Sequence, residues 1–432
     1  MMESSYNIID LIDKKIKGLA YSNDEINWVI NNIDTIPDFQ LSAWVTAVFI
    51  KGLDKKETAE LTRAMAYSGH VLTLKRHDDE FNPGNPEALI SNRGFVDKHS
   101  TGGVGDKVSL VLSPVLAALG FKVSKFSGGS LGYTGGTADK LNSIPGFSLD
   151  LDIKRFEAQI KDVGIALASQ TEDYAPADKK IYALRDKTAT VESVPLIASS
   201  VMSKKIAAGA DTILIDLKCG SGAFMKDKSS AKALKKEILS IGSELKLDVR
   251  VLISNMDQPL GYAVGNALEV QEAIEILDGK LKNDTYDLVL ELASQLVPKS
   301  EVIDSIESGK AAVKFDEWIS AQGGDLKKFT ETYKEIPNLD FIATEDAYMK
   351  SISCEMIGNI ANRLALKTDA TKDYSAGVIF HKKIGEPIKK GEKVFTVYAS
   401  QEKENLENAM AQIVEAIYFS HSKTSLPKLI FK

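Results

Sequence analysis

The sequence predicts an α/β protein with a small all-helical domain, a large mostly parallel α/β domain and a C-terminal α+β lobe. Three observations lead to this fold class. Apolar residues recur at helical spacing at the start of the chain, and short apolar runs alternate with helical patterns in its middle. Short strands with glycine turns follow near its end. Alternating strands and helices are typical of a parallel sheet with helices on its faces.

The helical domain is predicted over residues 1–75 and 176–209. In the second segment, Pro176 and Pro195 each suit the first turn of a helix, and Gly209 suits the end of the second helix. The residue pattern alone leaves open whether the second segment packs against the first, because part of the α/β domain separates them in the chain. The predicted apolar face of the first helix consists of Ile8, Ile9, Ile12 and Ile16.

The α/β domain is predicted over residues 95–170 and 210–340, and the C-terminal α+β lobe over 345–432. Four β-rich runs mark the sheet, namely FKVSKF, IALAS, TILIDLK and VRVLIS. In the lobe, residues 376–398 read as short strands with glycine-rich turns. Between the helical domain and the sheet, the run Pro83-Gly84-Asn85-Pro86 predicts a loop or hinge.

The composition is that of a globular protein: of 432 residues, 44% are hydrophobic and 26% are charged. The net charge of −7, with no basic tract, argues against nucleic acid as a partner. The N-terminus carries acids and has no apolar core, so it does not resemble a signal peptide. The longest apolar run, Val108 to Leu119, is too short to cross a bilayer. Cys219 and Cys354 are too few for a disulfide framework. We therefore expect a cytoplasmic protein with no membrane partner.

The most informative stretch is Val96 to Phe147, where two glycine-rich loops each precede a helical pattern. The first loop runs from Ser100 to Gly105 and follows Lys98 and His99, and the second spans residues 127–137. A glycine loop that opens a helix exposes backbone N–H groups at the positive end of the helix dipole. Such a loop binds anions. Two of them with lysines alongside predict a phosphate or a phosphorylated ligand, and the histidine indicates proton transfer nearby.

The standard nucleotide motifs do not fit these loops. A P-loop would need glycine where the chain has Asp106, and a dinucleotide fingerprint from Gly103 would need glycine where it has Val108. ATP, GTP and NAD are therefore not supported, and we expect no organic cofactor. The alternative interpretation is that the glycines only form tight turns. The lysine, serine and threonine side chains in both loops favour binding.

A second cluster lies on the helix that begins at Pro195. Leu196, Ser200 and Lys204 are spaced four residues apart, so they share one face of that helix. Arg185 lies near the end of the preceding helix. A serine, a lysine and an arginine can contact one polar ligand edge, but each residue alone also fits a solvated face or a partner of the helix dipole.

These segments together resemble the thymidine and pyrimidine-nucleoside phosphorylase family. The resemblance covers nearly the whole chain in order, and the block DKHSTGGVGD is highly specific to the family. It implies reversible phosphorolysis of pyrimidine nucleosides (uridine, deoxyuridine, thymidine) to the free base and (deoxy)ribose 1-phosphate, in nucleoside salvage. It also implies a homodimer that binds phosphate and nucleoside in a cleft closed by a hinge. The other matching blocks are PADKKIYALRD, SSVMSKKIAAG, DLKCGSGAF and QPLGYAVGNALEVQEAIE.

The resemblance also implies roles for individual residues. The implied catalytic residues are His99, the candidate acid beside the base, and Arg185 and Lys204, whose charges would stabilise the departing pyrimidine anion. The implied phosphate-binding residues are Lys98, Ser100, Ser109, Lys125, Ser127 and Thr137. The implied substrate-binding residues are Arg185, Ser200, Lys204, Leu131, Tyr133, Tyr182, Ile197 and Phe224.

Bacterial relatives can hold a potassium ion between the two halves of the molecule. Here its ligands would fall on Gly105, Lys107, Leu260, Ala263 and Glu272. Lys107 stands where those relatives have threonine, and its ammonium group is a candidate substitute for the ion.

The second glycine loop departs from the family pattern. Most relatives have arginine where this chain has Gly129, and histidine where it has Tyr133. We expect these changes to alter substrate preference while activity is retained.

Two other functions remain open at this point. An anthranilate-type phosphoribosyltransferase has this kind of fold and also binds phosphate on glycine loops, but it would need magnesium for a pyrophosphate donor. An inactive homologue that only binds nucleoside or phosphate is the second alternative. Phosphate-dependent release of uracil from uridine distinguishes the predicted enzyme from both.

Overall fold

The computed structural model describes residues 6–72, 93–127, 132–169, 174–367, 371–400 and 402–431. The predicted hinge at Pro83-Gly84-Asn85-Pro86 lies outside the described residues, as do residues 128–131 of the second glycine loop, which include Gly129 and Leu131. The first half of the chain forms α1 (Ile8–Ile16), α2 (Asn23–Asn31), α3 (Asp38–Lys51), α4 (Lys55–Ala66), β1 (Phe95–Ser100), α5 (Val108–Ala118), β2 (Lys122–Ser127), α6 (Thr137–Leu141), α7 (Ile153–Asp162), β3 (Ile165–Ser169), α8 (Pro176–Lys187), α9 (Val194–Ala207) and β4 (Thr212–Cys219).

The second half of the chain continues the alternation and then changes to short strands. Its elements are α10 (Lys228–Leu245), β5 (Asp248–Asn255), β6 (Ala263–Val264), α11 (Asn266–Leu277), α12 (Asp284–Ala293), α13 (Lys299–Glu307), α14 (Lys310–Ala321), α15 (Leu326–Thr332), β7 (Asn338–Ile342), β8 (Ala347–Ile352), α16 (Cys354–Leu364), β9 (Gly377–Phe380), β10 (Pro387–Ile388), β11 (Lys393–Tyr398), α17 (Lys403–Ala416), β12 (Ile417–Ser420) and β13 (Ile430–Phe431).

Helices α8 and α9 pack with the N-terminal helices. Ile181 of α8 and Leu196 of α9 lie in one buried cluster with Leu41 of α3. Across the contact between α4 and α9, Thr62 donates a hydrogen bond of 3.0 Å to Ser199. Another side of α9 packs on the sheet, where Ala198 and Met202 lie in a buried cluster with Ile213 and Ile215 of β4.

The apolar face of α1 differs from the predicted one. Ile8 and Leu11 are buried, whereas Ile9 is 57% exposed and Ile16 is 54% exposed. The buried side of α1 is completed by Lys15, whose ammonium group lies 2.6 Å from the buried carboxylate of Glu57 in α4. The ion pair replaces apolar packing at that end of the helix. Ile12 still packs against the core, whereas Ile9 and Ile16 point outward.

The main sheet has the strand order β13-β5-β4-β1-β2-β3. Strands β1 to β5 are parallel: Val96 of β1 lies opposite Val123 of β2, and His99 of β1 lies opposite Ile215 of β4. The chain runs outward from β1 through β2 to β3 and then returns to the other side of β1 for β4. In such sheets the crevice for a ligand lies beyond the carboxyl ends of the strands where the order reverses. The first glycine loop follows β1 and the second follows β2, so both lie at this crevice.

The C-terminal lobe exchanges strands with the α/β domain. Its four-stranded sheet has the order β6-β9-β11-β7, and β6 comes from the α/β domain. In the other direction, β13 pairs antiparallel with β5 of the main sheet. The end of the predicted lobe, residues 430–431, therefore lies in the α/β domain, because the outer edge of β5 offers backbone groups that β13 satisfies.

No helix in the described ranges combines the length and the apolar character that crossing a membrane requires.

Candidate active site

A cavity of about 400 Å³ lies at the carboxyl ends of β1 and β2, between the sheet and helices α8 and α9. Its wall includes both glycine loops, the facing sides of α8 and α9, and the loop after β4. Most residues predicted for the site meet here, although they come from distant parts of the chain. The predicted residues that line the cavity are His99, Ser100, Ser109, Lys125, Ser127, Thr137, Tyr182, Arg185, Ile197, Ser200, Lys204 and Phe224.

Asp106 closes the first glycine loop. It accepts a hydrogen bond from Ser100, and its other oxygen accepts one of 3.2 Å from the backbone N–H of Val108 at the start of α5. Although burial acts in the opposite direction, the ammonium groups of Lys218 and Lys98 hold the pKa of Asp106 below its usual range. Asp106 is thus a carboxylate that fixes the loop. In the sequence, Asp106 served only to exclude a P-loop. Its position between the glycine loop and a helix was the signal that could have indicated its role in fixing the loop.

Lys98 lies behind the first loop. Its ammonium group is fully buried, 3.3 Å from the hydroxyl oxygen of Ser109 and 4.0 Å from a carboxylate oxygen of Asp106. Burial lowers its pKa, although Asp106 and Asp216 act against this. Unlike the other predicted phosphate residues, Lys98 does not line the cavity. In this structure it supports Ser109, whose hydroxyl group does face the cavity.

Lys125 projects from β2 into the cavity. Its ammonium group donates a hydrogen bond of 2.8 Å to the backbone carbonyl of Lys98. Burial and the charge of Lys205 lower the pKa of Lys125 to about 7, and Asp97 only partly offsets them. This lysine therefore exchanges its proton near neutral pH, and a bound anion would favour the charged form.

His99 is neutral in the unliganded site at neutral pH. Burial in the cleft lowers the pKa of its imidazole well below the usual value, and the charges of Lys205, Lys125 and Lys98 lower it further. A neutral imidazole has one N–H donor and one acceptor nitrogen. His99 is therefore able to hydrogen-bond a ligand oxygen, while donation of a full proton requires a nearby negative charge to raise its pKa.

Arg185 has two tasks in the structure. Its guanidinium group donates to the backbone carbonyls of Thr190, Val191 and Leu196 at 3.3, 2.5 and 3.1 Å, which fixes the connection between α8 and α9. Since a guanidinium has five N–H donors, two remain for a ligand. Burial lowers the pKa of Arg185, but its starting value is so high that it stays charged.

Lys204 is held by a residue that sequence reasoning missed. The buried carboxylate of Asp178 lies 2.8 Å from the Lys204 ammonium group, and Ser200 accepts a hydrogen bond from that group at 3.4 Å. Lys204 and Arg185 each lie 5.8 Å from the centre of the Tyr182 ring. In the sequence, Asp178 reads only as an acid in the first turn of α8, where it would complement the helix dipole.

A second missed pair lies beneath the cavity. Lys205 lines the cavity, and its ammonium group is 3.0 Å from the carboxylate of Asp97, which is fully buried in β1. Buried charges are retained when they are paired. The pair therefore keeps a cation under the site. Its signal in the sequence was an acid between the apolar start of the strand, Phe95-Val96, and the Lys98-His99 pair.

The chain resembles known proteins over nearly its entire length. Residues 92–319 match the model of a glycosyl transferase family a/b domain, and residues 9–69 match the helical bundle domain of that family. Residues 348–420 match the pyrimidine nucleoside phosphorylase C-terminal domain. The chain is 42% identical to a pyrimidine-nucleoside phosphorylase of Geobacillus stearothermophilus over 98% of this chain and 99% of the relative. It is 40% identical to the one of Bacillus subtilis over 98% of both chains.

The chain belongs to the pyrimidine-nucleoside phosphorylase family. The predicted family and fold class are thereby confirmed. A solved anthranilate phosphoribosyltransferase from Thermus thermophilus superimposes with a TM-score of 0.53 at 18% identity, over 72% of this chain and 99% of that one. At this identity the similarity shows a shared fold alone.

Tyr133, one of the two departures from the family pattern in the second glycine loop, does not line the cavity. Its ring packs on the core of the C-terminal lobe. Its hydroxyl group donates to the carbonyl of Ala223 at 3.4 Å and accepts from the ammonium group of Lys226 at 3.2 Å. Tyr133, which was predicted to bind substrate, therefore lies outside the cavity wall in this structure, because its side chain points toward the C-terminal lobe.

Three of the residues expected to hold potassium, Leu260, Ala263 and Glu272, contact the ammonium group of Lys107 instead. This buried group donates to the backbone carbonyls of Leu260 and Ala263 at 2.7 and 3.1 Å, and a carboxylate oxygen of Glu272 lies 3.1 Å from it. A potassium ion at these oxygens would collide with the ammonium group. This donor set therefore does not fit the ion.

Proposed function

We propose that the protein catalyses the reversible phosphorolysis of pyrimidine nucleosides to the free base and (deoxy)ribose 1-phosphate, in nucleoside salvage. The observation that carries this proposal is the cavity that joins two anion-binding glycine loops to a cationic face of α8 and α9. Phosphate requires an anion-binding site, and a planar, polar base requires a face with charged donors. Because the sugar connects the two reacting groups, both sites must lie in one cleft.

Phosphate is assigned to the glycine-loop side of the cavity. Hydroxyl groups there come from Ser100, Ser109, Ser127 and Thr137. Lys125 supplies an amine with a lowered pKa, and a bound phosphate dianion would favour its protonated, charged form. Phosphate is itself the nucleophile in this reaction. The site accordingly needs no serine or cysteine nucleophile, and its task is to hold the oxygen of phosphate against the anomeric carbon.

The base is assigned to the side formed by α8 and α9. When the glycosidic bond breaks, negative charge develops on the pyrimidine, and Lys204 and the free donors of Arg185 stabilise it more strongly in the transition state than in the substrate. His99 donates a hydrogen bond to a base oxygen. Phosphate bound close to His99 raises its pKa, which favours proton donation as the base leaves.

Initial rates with uridine, deoxyuridine and thymidine, each with and without inorganic phosphate, test the proposal. We expect release of the free base that depends on phosphate. Release of pyrophosphate from phosphoribosyl pyrophosphate, magnesium and anthranilate, with no reaction of the three nucleosides, would instead identify a phosphoribosyltransferase. A protein that binds uridine and phosphate without turnover would overturn the enzymatic assignment.

The protein is further proposed to act as a homodimer through its helical domain. Phe39 and Ile50, which are 73% and 69% exposed, lie on one side of α3, and Ile9 and Ile16 lie on one side of α1. Exposed apolar stripes on neighbouring helices are typical of surfaces that are buried by a second copy. The buried free cysteines Cys219 and Cys354 support a location in the reducing cytoplasm.

The proposed enzyme needs no potassium ion, because the Lys107 ammonium group occupies the position between the Leu260 and Ala263 carbonyls. We expect equal phosphorolysis rates in sodium and potassium phosphate. Lys107→Thr removes the ammonium group, and potassium should then raise the melting temperature and activity of the variant while sodium does not. Potassium activation of the unaltered protein would contradict the assignment.

A further inference from the structure

A buried ion pair lies behind the first glycine loop, outside the cavity. It joins Asp216 and Lys218, which are two residues apart in β4 and therefore lie on one face of that strand. The Lys218 ammonium group is 2.6 Å from a carboxylate oxygen of Asp216, and both side chains are fully buried. Ser254 of β5 donates a hydrogen bond of 2.5 Å to the other oxygen of Asp216. Neither Asp216 nor Lys218 lines the cavity, so any effect on a ligand must act through other residues.

The first glycine loop is attached to the backbone of β4 at both residues of this pair. The hydroxyl group of Thr101 accepts a hydrogen bond of 2.8 Å from the backbone N–H of Lys218, and the N–H of Thr101 donates to the carbonyl of Asp216 at 3.2 Å. Ser100, which donates to Asp106, lies opposite Asp216 in the sheet. The ion pair is therefore held in a fixed position relative to Asp106, the carboxylate that closes the loop.

Lys218 is the strongest cationic influence on Asp106. Burial acts against it, but the charge of Lys218, followed by that of Lys98, lowers the pKa of Asp106. Burial also acts on Lys218, yet Asp106 and Asp216 together raise its pKa above the usual lysine value. Lys218 therefore stays an ammonium ion at neutral pH, and it keeps Asp106 a carboxylate.

Lys98 is held less firmly than Lys218. Its ammonium group is 4.0 Å from Asp106 and 3.3 Å from the hydroxyl oxygen of Ser109, compared with 2.6 Å between Lys218 and Asp216. Burial lowers the pKa of Lys98, whereas the pKa of Lys218 is raised. Because Ser109 lines the cavity, Lys98 lies only one side chain away from a ligand there. Of the two buried lysines, Lys98 is thus the one that can change its partner at low cost.

We propose that Lys218 is a positioning residue that serves as the fixed counter-ion of Asp106 and thereby leaves Lys98 available to bind phosphate. Without Lys218, Asp106 and Asp216 would both attract Lys98. An ammonium group that must neutralise two buried carboxylates is lost to phosphate, because leaving them would uncover buried charge. The inference rests on the proposed function, since it takes phosphate as the ligand of the first glycine loop.

Titration calorimetry with inorganic phosphate tests the proposal without turnover. Lys98→Met should raise the dissociation constant of phosphate about 10- to 150-fold, the loss expected for one charge-assisted hydrogen bond. Lys218→Met with Asp216→Asn, the pair variant, removes both charges of the ion pair and leaves neither partner unpaired. It should raise the constant about 5-fold. Asp216→Asn alone keeps Lys218 beside Asp106 and should bind phosphate at least as tightly as the unaltered protein.

Combining Lys98→Met with the pair variant shows whether Lys218 acts through Lys98. Once Lys98 is methionine, Asp106 has no ammonium group at that position to retain, so the pair variant should cause no further loss of phosphate affinity. Effects that fail to add in this way identify residues that act together. In steady-state kinetics, the pair variant should raise KM for phosphate while kcat and KM for uridine stay close to those of the unaltered protein.

Lys15→Met with Glu57→Gln is the matched control, because it removes another buried ion pair with a separation of 2.6 Å, in the helical domain. It should leave the dissociation constant of phosphate unchanged. Melting curves identify any variant that fails to fold. Lys218→Gln is a smaller change that also removes the charge, so it replaces the pair variant if that protein does not fold, and it should weaken phosphate binding in the same direction.

The outcomes separate the possible roles of Lys218. An unchanged dissociation constant in the folded pair variant, or an equal loss in the control, overturns the proposal. Losses that add fully in the combined variant also overturn it, as does a Lys98→Met variant that binds phosphate normally. Failure of the proposed function is recognised separately, as an unaltered protein that binds phosphate but does not cleave uridine in its presence.

Discussion

At the scale of single residues, the Lys204 ammonium group faces both the cavity and the buried carboxylate of Asp178, 2.8 Å away. Lys204→Met removes the charge that faces the departing base. Losing one charge-assisted hydrogen bond of about 1.5–3 kcal/mol should lower kcat/KM for uridine by about 10- to 150-fold. Steady-state kinetics with uridine at saturating phosphate measures this loss.

The same variant leaves Asp178 buried without its cation, which should lower the melting temperature. The double variant Lys204→Met with Asp178→Asn removes both charges. It should recover stability while its activity stays low, because the charge facing the base is still missing. Recovery of activity together with stability would mean that Lys204 acts only by supporting the fold.

Because of Lys125, phosphate binding should depend on pH, and the number of protons taken up on binding measures this dependence. With a pKa lowered to about 7, this lysine is mostly neutral at pH 8, and phosphate is then mostly a dianion. Binding of phosphate should raise the pKa of Lys125, so the complex should take up protons. Titration calorimetry in two buffers of different ionisation enthalpy measures this uptake, and Lys125→Arg, which is always charged, should lack it.

The lowered pKa of Lys125 should also make the stability of the protein without phosphate depend on pH, in a direction that can be derived. Between pH 7 and the ordinary lysine value of 10.5, the unfolded chain holds a proton at Lys125 that the folded chain has lost. Lys125 therefore makes the free energy of unfolding rise with pH across that window. Lys125→Met should raise the melting temperature most at pH 7 or below and less toward pH 10. A gain independent of pH would contradict the lowered pKa.

At the scale of elements, the first glycine loop depends on a close approach of two backbones. Gly105 has a φ of +73°, and a methyl group added to it would lie 2.4 Å from the carbonyl oxygen of Leu260. Gly105→Ala should thus cost about 1–2 kcal/mol for the left-handed backbone and a further 1–3 kcal/mol for the collision. Since the loop must shift, KM for phosphate should also rise.

Gly18→Ala is the matched control, because Gly18 has a φ of +76° and open space around it. It should show the backbone cost alone, with KM for phosphate unchanged. Denaturant unfolding compares the two variants. Equal losses of stability and an unchanged KM in Gly105→Ala would mean that the loop does not hold phosphate in this geometry.

At the scale of the whole molecule, the exposed apolar side of α3 predicts the state of assembly. We expect the unaltered protein, whose chain mass is 47.1 kDa, to sediment as a dimer. Phe39→Ser with Ile50→Ser should shift it toward the monomer, because both changes remove apolar area from one surface. Val313→Ser, at a 57% exposed site on α14, is the control and should leave the protein a dimer. A dimer that survives the double change would place the interface elsewhere.

Much of this organisation was contained in local sequence patterns. Apolar runs between helical patterns determined the parallel strands, and the predicted runs IALAS and TILIDLK coincide with β3 and most of β4. Glycine loops beside Lys98 and Lys125 located the crevice, because loops after neighbouring parallel strands must share one edge of the sheet. Helical spacing and position had already drawn attention to Arg185, Ser200 and Lys204, and the resemblance added Tyr182 and Ile197, which no local pattern singles out.

What only the tertiary structure decided concerns partners far apart in the chain. The sequence showed Asp178, Asp97 and Asp106 as ordinary acids, and burial beside lysines made each one part of the site. It also placed Tyr133 with the substrate, whereas the structure turns the side chain toward the C-terminal lobe. Periodicity reports which face of an element is apolar. Charge pairing, pKa and the direction of a loop side chain depend on the elements that pack against it, and those contacts exist only in the folded chain.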